Sequence, residues 1–363
     1  MEKTKLDALL ISADTAIKPV MQKLNITGGK IVFVTDENRK LLGTVTDGDI
    51  RRGITNGLNF TAAVKEIMKT KFISINKNSP DIHKKAKELM QEHKIEYVPI
   101  VNGKGEITDV ISWADYFDSE SLSQEAVNFL QNPVIIMAGG KGTRLDPFTK
   151  ILPKPLIPLG DKPIIEHIMG RFQKRGFNKF KIIINYKKEM IKIYFSDNNL
   201  RYDIEFTEEK DYYGTSGGLF LLKSKLTDTF FVTNCDTILE GDYMDFLNWH
   251  KEKNNILTII GSHREILVPY GVLNMSNSSL VSINEKPKID LFINTGTYIF
   301  EPEVLDFISE NEYVDMDKLI ERVKGRHNDK IGVYPHWGGW FDTGQWGEYR
   351  DSLKQFGEDI EHV

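Results

Sequence analysis

The chain has 363 residues, of which 47 are lysine or arginine and 52 are aspartate or glutamate, so its formal net charge is -5. That length favours two domains, and the charge excludes a general attraction to nucleic acid or to anionic membranes. A single cysteine, Cys235, excludes an intramolecular disulfide framework and a CxxC metal motif. The start of the chain lacks the apolar core of a signal peptide and no later run has bilayer length, so we expect cytoplasmic residence.

An internal repeat occupies the first third of the chain. The stretches 30–52 and 96–118 align without gaps at a constant offset of 66 positions. Each copy predicts two strands joined by a polar turn, and then a hydroxyl residue and an aspartate that open a helix. The alignment pairs four such residues: Thr46 with Ser112, and Asp49 with Asp115.

The short sequences GTVTDGD (43–49) and DVISWAD (109–115) resemble the duplicated CBS regulatory module over roughly residues 6–117. The resemblance implies an adenine nucleotide effector between the paired units, and pairing of modules between subunits in a homo-oligomer, a dimer or larger. It implies phosphate and ribose contacts from Thr46, Asp49, Ser112 and Asp115. An aspartate accepts hydrogen bonds from both ribose hydroxyls, and a helix N-terminus favours phosphate. The alternative, that the four residues only cap helices, stays open.

A polar stretch that ends at Pro133 marks the domain boundary. The sequence therefore predicts a tandem CBS module at 1–120, a linker at 121–132 and a second domain at 133–363. In the second domain, apolar strands alternate with amphipathic helices such as the one that begins near Ile164. This alternation predicts an α/β fold, a doubly wound and Rossmann-like domain with a mixed sheet.

The second domain opens with VIIMAGGKGTRLDPFTKILPKPL, residues 134–156. Its glycines let backbone N–H groups approach a phosphate where side chains would clash: Gly139, Gly140 and Gly142. Arg144 and Lys154 add positive charge, and prolines on both sides of Lys154 restrict its backbone. The string contains neither the G-x-G-x-x-G pattern nor a G-K-[ST] ending, which excludes a dinucleotide fingerprint and a Walker loop.

This string closely resembles the nucleotide-binding signature of sugar-1-phosphate nucleotidyltransferases, and the resemblance continues to about Tyr349. It implies catalytic cations at Arg144, Lys154 and Lys286. It implies nucleotide contacts from Ala138, Gly139, Gly140, Gly142, Thr143, Glu208, Gly214, Thr215 and Gly217. It implies sugar contacts from Tyr270, Gly271, Glu285, Asn294 and Thr295. It implies Mg²⁺ as cofactor, on Asp236 after an apolar strand and on Asp342 in a WxDTG segment, with carboxylates as the ligands that hard cations prefer.

The identity of the base depends on Glu208 or Glu209, just before the segment YYGTSGGL. A carboxylate accepts hydrogen bonds from two adjacent donors, which guanine offers as N1–H and N2–H₂ while uracil and thymine offer one. This favours GTP, although both glutamates are equally open to interpretation as solvated charges at a strand end.

The implied reaction is an in-line attack by a sugar-1-phosphate oxygen on the α-phosphorus of a nucleoside triphosphate, with pyrophosphate leaving. The order of a CBS pair and a transferase domain most resembles the glucosamine-1-phosphate guanylyltransferases of bacterial legionaminic acid synthesis. Two alternatives remain: a UTP, CTP or dTTP enzyme that acts on another hexose 1-phosphate, and a catalytically silent protein that senses nucleotides.

Overall fold

The structure is a computed structural model that describes residues 6–27, 30–93, 95–113, 129–197 and 202–357. The chain divides into two units, Met1–Ala126 and Val127–Val363, and the division falls within the predicted linker 121–132. In the described ranges, no helix combines the length and apolar character that a membrane span requires.

In the first unit, each copy of the repeat forms a three-stranded sheet with the same strand order. The elements in chain order are β1 (Leu10–Ser12), α1 (Ile17–Thr27), β2 (Ile31–Thr35), β3 (Leu41–Thr46), α2 (Asp47–Thr55), β4 (Ile75–Asn76), α3 (Ile82–His93), β5 (Tyr97–Val101) and β6 (Ile107–Ser112). The antiparallel register pairs Ile31 with Thr46 in one copy and Tyr97 with Ser112 in the other. The offset of 66 positions therefore reproduces the register, which confirms the duplication.

A pseudo-twofold axis relates the two copies. Lys40 forms an isolated antiparallel bridge with Glu106, and the Lys30 Nζ atom lies 2.6 Å from Glu96 Oε1. Each of these pairs joins positions that are equivalent in the two copies, and equivalent positions meet only where a twofold axis passes between them. Apolar residues of both copies, Phe33 and Leu41 from the first and Ile107 and Val110 from the second, pack in one cluster.

The second unit is built on a seven-stranded sheet in the order β11-β10-β7-β12-β17-β14-β18. Its strands and α-helices are β7 (Val134–Ala138), α4 (Phe148–Ile151), β8 (Pro158–Leu159), β9 (Lys162–Pro163), α5 (Ile164–Gln173), β10 (Lys179–Ile184), α6 (Lys188–Asp197), β11 (Asp203–Glu208), β12 (Phe230–Asn234), β13 (Thr237–Leu239), α7 (Tyr243–Glu252), β14 (Leu257–Leu267), β15 (Val272–Ser276), β16 (Ser279–Asn284), β17 (Lys288–Phe300), α8 (Met316–Arg326), β18 (Ile331–His336), β19 (Trp340–Asp342) and α9 (Trp346–Gly357).

The sheet is mixed. Strands β11, β10, β7 and β12 run parallel, whereas β17 is antiparallel to both β12 and β14. The central strand β7 is buried on both faces, with Val134 and Ile136 in one core cluster and Ile135 in the other. Helix α5 covers one face with Ile165, Ile168 and other residues of its predicted apolar stripe. The predicted fold class is confirmed.

The topology brings three loops to one edge of the sheet. Because β10, β7 and β12 are parallel, their carboxyl ends lie side by side, and ligands of open α/β sheets bind at such edges. The glycine-rich loop follows β7, and Asp236 follows β12. The small antiparallel pair of β13 and β19 places Asp342 opposite Thr237, and thus beside Asp236.

Candidate active site

Two glycines of the loop after β7 are required by their neighbours. A Cβ atom on Gly139 would collide with the Glu209 carboxylate. Gly142 has a φ of 68°, in the left-handed region, and a Cβ atom there would lie 3.0 Å from the Cβ of Lys154. Gly140 faces open space, whereas Arg144 and Thr143 are exposed on the same turn. The loop is thus exposed or half-buried from Gly140 to Arg144, and it packs against two charged side chains.

A buried charge cluster lies beside this loop. Lys154 and Asp236 form an ion pair and are only 8% and 6% exposed. Gly344 packs against the cluster: a Cβ atom there would lie 2.5 Å from Asp236 Oδ2, 2.9 Å from Asp342 Oδ1 and 3.2 Å from Lys154 Nζ. The predicted cation Lys154 and the two predicted metal ligands, Asp236 and Asp342, therefore lie close together around Gly344.

Burial and the neighbouring Asp236 charge raise the pKa of Asp342, while the Gly344 N–H, Lys154 and Arg144 oppose that rise. A carboxylate whose pKa is raised by a second carboxylate beside it is suited to a divalent cation, and Mg²⁺ commonly takes one or two protein carboxylates and completes its shell with water and phosphate oxygens. Among the described residues, no group of three or more His, Cys, Asp or Glu side chains forms a metal cluster. The donor set fits Mg²⁺ better than a metal that needs a full protein cage.

Glu209 is a buried carboxylate without a complete set of partners. It is 3% exposed, and its Oε1 atom has no hydrogen-bond partner among the described residues. It lies between Gly139 and Gly218, since a Cβ atom on either glycine would collide with one of its oxygens. Burial raises the pKa of Glu209 to about 7, although a backbone hydrogen bond from Tyr213 lowers it.

The structure separates the two adjacent glutamates. Glu208 is exposed and forms ion pairs with Lys188 and Lys192 on α6, which lower its pKa to about 2. Of the two glutamates that the sequence offered as base contacts, Glu209 borders the glycines and Glu208 does not, so the nucleotide contact predicted for Glu208 stays a prediction without support from the geometry. Alternation along a strand turns neighbouring side chains to opposite faces, and the sequence did not show which of the two faced the glycine loop.

The segment with Gly214, Thr215 and Gly217 lies near Glu209, but the structure explains these residues by protein contacts. Gly214 has a φ of 82°, and a Cβ atom there would lie 2.6 Å from the Val314 carbonyl oxygen. A Cβ atom on Gly217 would collide with the Glu312 carbonyl oxygen. Gly218 is the glycine of this segment that borders Glu209.

The predicted sugar contacts Tyr270, Gly271 and Glu285 and the predicted catalytic cation Lys286 lie together and are exposed, just before β15 and just after β16 of a two-stranded ribbon. The Lys286 N–H donates to the Tyr270 carbonyl at 3.2 Å, and a Cβ atom on Gly271 would lie 2.9 Å from Glu285 Oε2. Lys286 has a φ of 46°, an uncommon conformation for a residue with a side chain. Strain of this kind persists only where surrounding structure enforces it, as at functional sites.

Asn294 and Thr295 are occupied by internal bonds. The Asn294 Nδ2 atom donates to the Tyr298 hydroxyl at 2.8 Å, and its Oδ1 atom accepts from the Gly296 N–H at 3.0 Å. The buried Thr295 hydroxyl donates to the Ile260 carbonyl at 2.8 Å. The structure thus gives Thr295 a role within the sheet, and both amide atoms of Asn294 already have one internal partner each.

In the first unit, Thr46 and Asp49 form a capping box at the start of α2. Asp49 accepts hydrogen bonds from the Thr46 N–H at 2.9 Å and from the Thr46 hydroxyl at 2.6 Å, and it pairs with Arg52 and Lys69. These contacts support the capping alternative for the first copy. Ser112 ends β6, half-buried, and Asp115 lies outside the described residues.

The sequence did not indicate three residues that lie at or next to the predicted site residues. Gly344 follows the DTG motif that selected Asp342, so its position was available as a signal. Asn234 borders the turn at Gly296, where a Cβ atom would lie 2.5 Å from its Nδ2 atom. Asp315 accepts a hydrogen bond from Thr215, one hundred positions earlier in the chain, and no local pattern indicates this contact.

Comparison with protein families places both units. A nucleotidyl transferase family model matches residues 133–358, well over half of the chain. The chain belongs to the nucleotidyl transferase family. A CBS domain model matches residues 64–120, which covers the second copy of the repeat.

The similar proteins are named as transferases of different nucleotides. The chain is 32% identical over 232 residues to a probable mannose-1-phosphate guanylyltransferase 1 of Oryza sativa, covering 61% of this chain and 64% of the relative. It is 32% identical over 203 residues to a UTP–glucose-1-phosphate uridylyltransferase of Synechocystis, covering 50% and 52%. A probable glucose-1-phosphate cytidylyltransferase of Bacillus subtilis is 30% identical over 230 residues, covering 57% and 89%. The chain thus spans about half to two thirds of the length of the first two relatives.

Among solved structures, HddC from Yersinia pseudotuberculosis resembles the chain with a TM-score of 0.50 and 25% identity. The match covers 62% of this chain and 99% of HddC.

Proposed function

We propose that the second unit transfers a nucleotidyl group from GTP to a sugar 1-phosphate, glucosamine 1-phosphate, and releases pyrophosphate. The observation that carries the proposal is the convergence of Lys154, Asp236 and Asp342 beside a glycine-rich loop that is exposed or half-buried from Gly140 to Arg144. Family membership and the names of the relatives support the reaction class. The choice of glucosamine 1-phosphate is supported by the resemblance to the guanylyltransferases of legionaminic acid synthesis.

The chemistry requires no general base, because the sugar phosphate oxygen that attacks the α-phosphorus is already an anion. One P–O bond forms at the α-phosphorus and the bond to the β-phosphate bridging oxygen breaks. Arg144, Lys154 and the exposed Lys286 supply positive charge for the phosphates, so catalysis consists of positioning and charge stabilisation. Asp236 and Asp342 would hold Mg²⁺, which when bound supplies further charge neutralisation.

GTP is proposed because of Glu209. An ionised Glu209 offers two acceptor oxygens, and Oε1 has no partner among the described residues. Guanine presents N1–H and N2–H₂ as adjacent donors, and donation to the carboxylate would remove the penalty of a buried, unsatisfied oxygen. Because some relatives are named as uridylyl- and cytidylyltransferases, a pyrimidine nucleotide is the alternative substrate.

The test is a pyrophosphate-release assay on the full chain that crosses GTP, UTP, CTP, dTTP and ATP with glucosamine 1-phosphate, mannose 1-phosphate and glucose 1-phosphate, with and without Mg²⁺. We expect the highest rate with GTP, glucosamine 1-phosphate and Mg²⁺. A higher rate with a pyrimidine nucleotide would overturn the base assignment and retain the reaction. No release in any combination would favour the silent sensor.

For the first unit we keep two proposals: an adenine nucleotide effector, and assembly into a homo-oligomer through the CBS pair. The CBS match supports both. The internal bonds of Asp49 imply that a ribose would have to displace Thr46 and Arg52 from that carboxylate. Calorimetric titration of AMP and ATP against the wild-type chain and the Asp49→Ala plus Asp115→Ala variant tests the effector, and unchanged affinity in the variant would refute the aspartate contacts.

A further inference from the structure

The segment 311–316, just before and at the start of α8, is bonded to the segment 213–217 that borders Glu209. The Val314 N–H donates to the Tyr213 carbonyl at 2.9 Å, and the Val314 carbonyl accepts from the N–H groups of Ser216 and Gly217 at 3.0 and 3.1 Å. The Ser216 hydroxyl donates to the same carbonyl at 3.0 Å. Main-chain bonds in both directions therefore make the two segments one structural unit.

Asp315 holds the centre of this contact. It occupies the N-cap position of α8, where an aspartate ordinarily accepts from N–H groups of its own helix, yet its side chain makes no such bond. Its Oδ1 atom accepts instead from the Thr215 N–H at 3.1 Å and from the Thr215 hydroxyl at 3.3 Å. The Thr215 oxygen in turn accepts from the Met316 N–H at 2.8 Å, so Thr215 satisfies the helix end that Asp315 leaves open.

The fit at this contact is tight. The carbonyl oxygens of Val314 and Glu312 leave no room for a Cβ atom at positions 214 and 217. The path of the chain up to Gly218 therefore depends on the position of the segment 311–316. Gly218 borders the Glu209 oxygen that lacks a partner. A shift of the segment would therefore change the space beside the carboxylate that we propose reads the base.

The segment 311–316 also forms hydrogen bonds with Ser309 and Arg322, through its residue Glu312. Both guanidinium nitrogens of Arg322 donate to the Glu312 carboxylate, at 3.1 and 2.7 Å, and the Ser309 N–H donates to it at 3.0 Å. The Tyr313 hydroxyl donates to Asp315 Oδ2 at 3.2 Å. The carboxylate of Asp315 thus has a fixed orientation toward Thr215.

We propose that Asp315 is a positioning residue for base recognition, acting through Thr215 to set the distance between the segment 213–218 and Glu209. The inference rests on the proposed function for its substrate. It assigns the beginning of α8 to the nucleotide site, although Asp315 itself touches neither phosphate nor base in this account.

The experiment compares Asp315→Ala, Asp315→Asn and the control Asp317→Ala. Asparagine keeps the Oδ1 acceptor, and Asp317 is an exposed acid in the first turn of the same helix. The readouts are KM and kcat for GTP and UTP with glucosamine 1-phosphate, and the Kd of each nucleotide from calorimetry. Circular dichroism shows whether each variant is folded.

For Asp315→Ala we expect the KM and Kd for GTP to rise about tenfold and the ratio of kcat/KM for GTP over UTP to fall by a similar factor. The kcat at saturating GTP should stay within about threefold, because Lys154, Asp236 and Asp342 are untouched. Asp315→Asn and Asp317→Ala should remain near wild type. A GTP Kd and base ratio unchanged in Asp315→Ala, or a loss in Asp315→Asn as large as in Asp315→Ala, would overturn the inference.

The two proposals fail separately. If the wild-type chain releases no pyrophosphate, the proposed function fails while the comparison of nucleotide Kd values still tests Asp315. If the wild-type chain is active and Asp315→Ala keeps its GTP Kd, the positioning role alone is wrong.

Discussion

Asp49 in the first unit and Glu209 in the second are both buried carboxylates just past the end of a strand, with exposures of 4% and 3%. Asp49 is saturated: burial opposes ionisation, but bonds from Thr46 together with Lys69 and Arg52 hold its pKa below the ordinary value. Glu209 has an oxygen without a partner, and burial raises its pKa to about 7.

The two carboxylates differ in whether all of their oxygens already have a hydrogen-bond partner. A saturated group gains little from a ligand, because a new hydrogen bond replaces an existing one. A buried oxygen without a partner carries a desolvation penalty that a ligand donor removes. By this criterion Glu209 is the stronger candidate for a ligand contact, and a ligand at Asp49 has to replace existing bonds.

The largest effect is expected at the buried ion pair. Lys154→Met removes the cation that pairs with Asp236, so Asp236 and Asp342 lose the closest positive charge. We expect kcat/KM for pyrophosphate release to fall about 10³-fold, the magnitude typical of a lost electrostatic contact to the reacting group. Lys162→Met, at an exposed lysine on β9, is the matched control and should retain activity. Retained activity in a folded Lys154→Met protein would remove this cluster from the mechanism.

The next effect concerns stability and follows from the raised pKa of Glu209. The folded chain favours the protonated carboxyl, so the stabilisation from the proton is complete below about pH 4.5 and is lost as the pH rises to about 7. Glu209→Gln keeps the shape without the charge. Its free energy of unfolding should match wild type near pH 4.5 and exceed it by about 3 kcal/mol above pH 7. Urea denaturation at several pH values measures the difference; a constant difference across the range would contradict the account.

Base selection should change in the same variant. Glutamine offers one donor and one acceptor, which suits the N3–H and a carbonyl of uracil better than the two donors of guanine. The ratio of kcat/KM for GTP over UTP should fall roughly 10- to 100-fold, as expected when one bidentate base contact is lost. Glu208→Gln, one residue away on the exposed side, is the control and should leave the ratio unchanged. The reverse outcome would restore Glu208 as the base contact.

The smallest effect is expected in the first unit. Asp49→Ala removes an N-cap partner and should lower the free energy of unfolding by about 1 kcal/mol without altering pyrophosphate release in the absence of effectors. Thermal denaturation with a parallel assay checks both parts. A change in basal turnover would show that the cap does more than stabilise α2.

The sequence predicted the fold class because it depends on local signals, and the family resemblance indicated the three members of the charge cluster. The apolar run 134–138 predicts a buried strand, and Asp236 follows the apolar strand β12, whereas Asp342 ends β19, which pairs with β13. Contacts between distant segments were beyond prediction. The bond from Thr215 to Asp315, and the use of Thr295 inside the sheet, depend on how strands and loops pack after folding.

The most direct test measures the protons released when GTP binds. If guanine binds the ionised Glu209, then at pH 7, where about half of the Glu209 side chains are protonated, binding must release about half a proton more from wild type than from Glu209→Gln. Calorimetry in buffers with different ionisation enthalpies gives this number, and the difference should vanish near pH 9. Equal proton release from the two proteins at pH 7 would contradict the assignment of this corner as the guanine site.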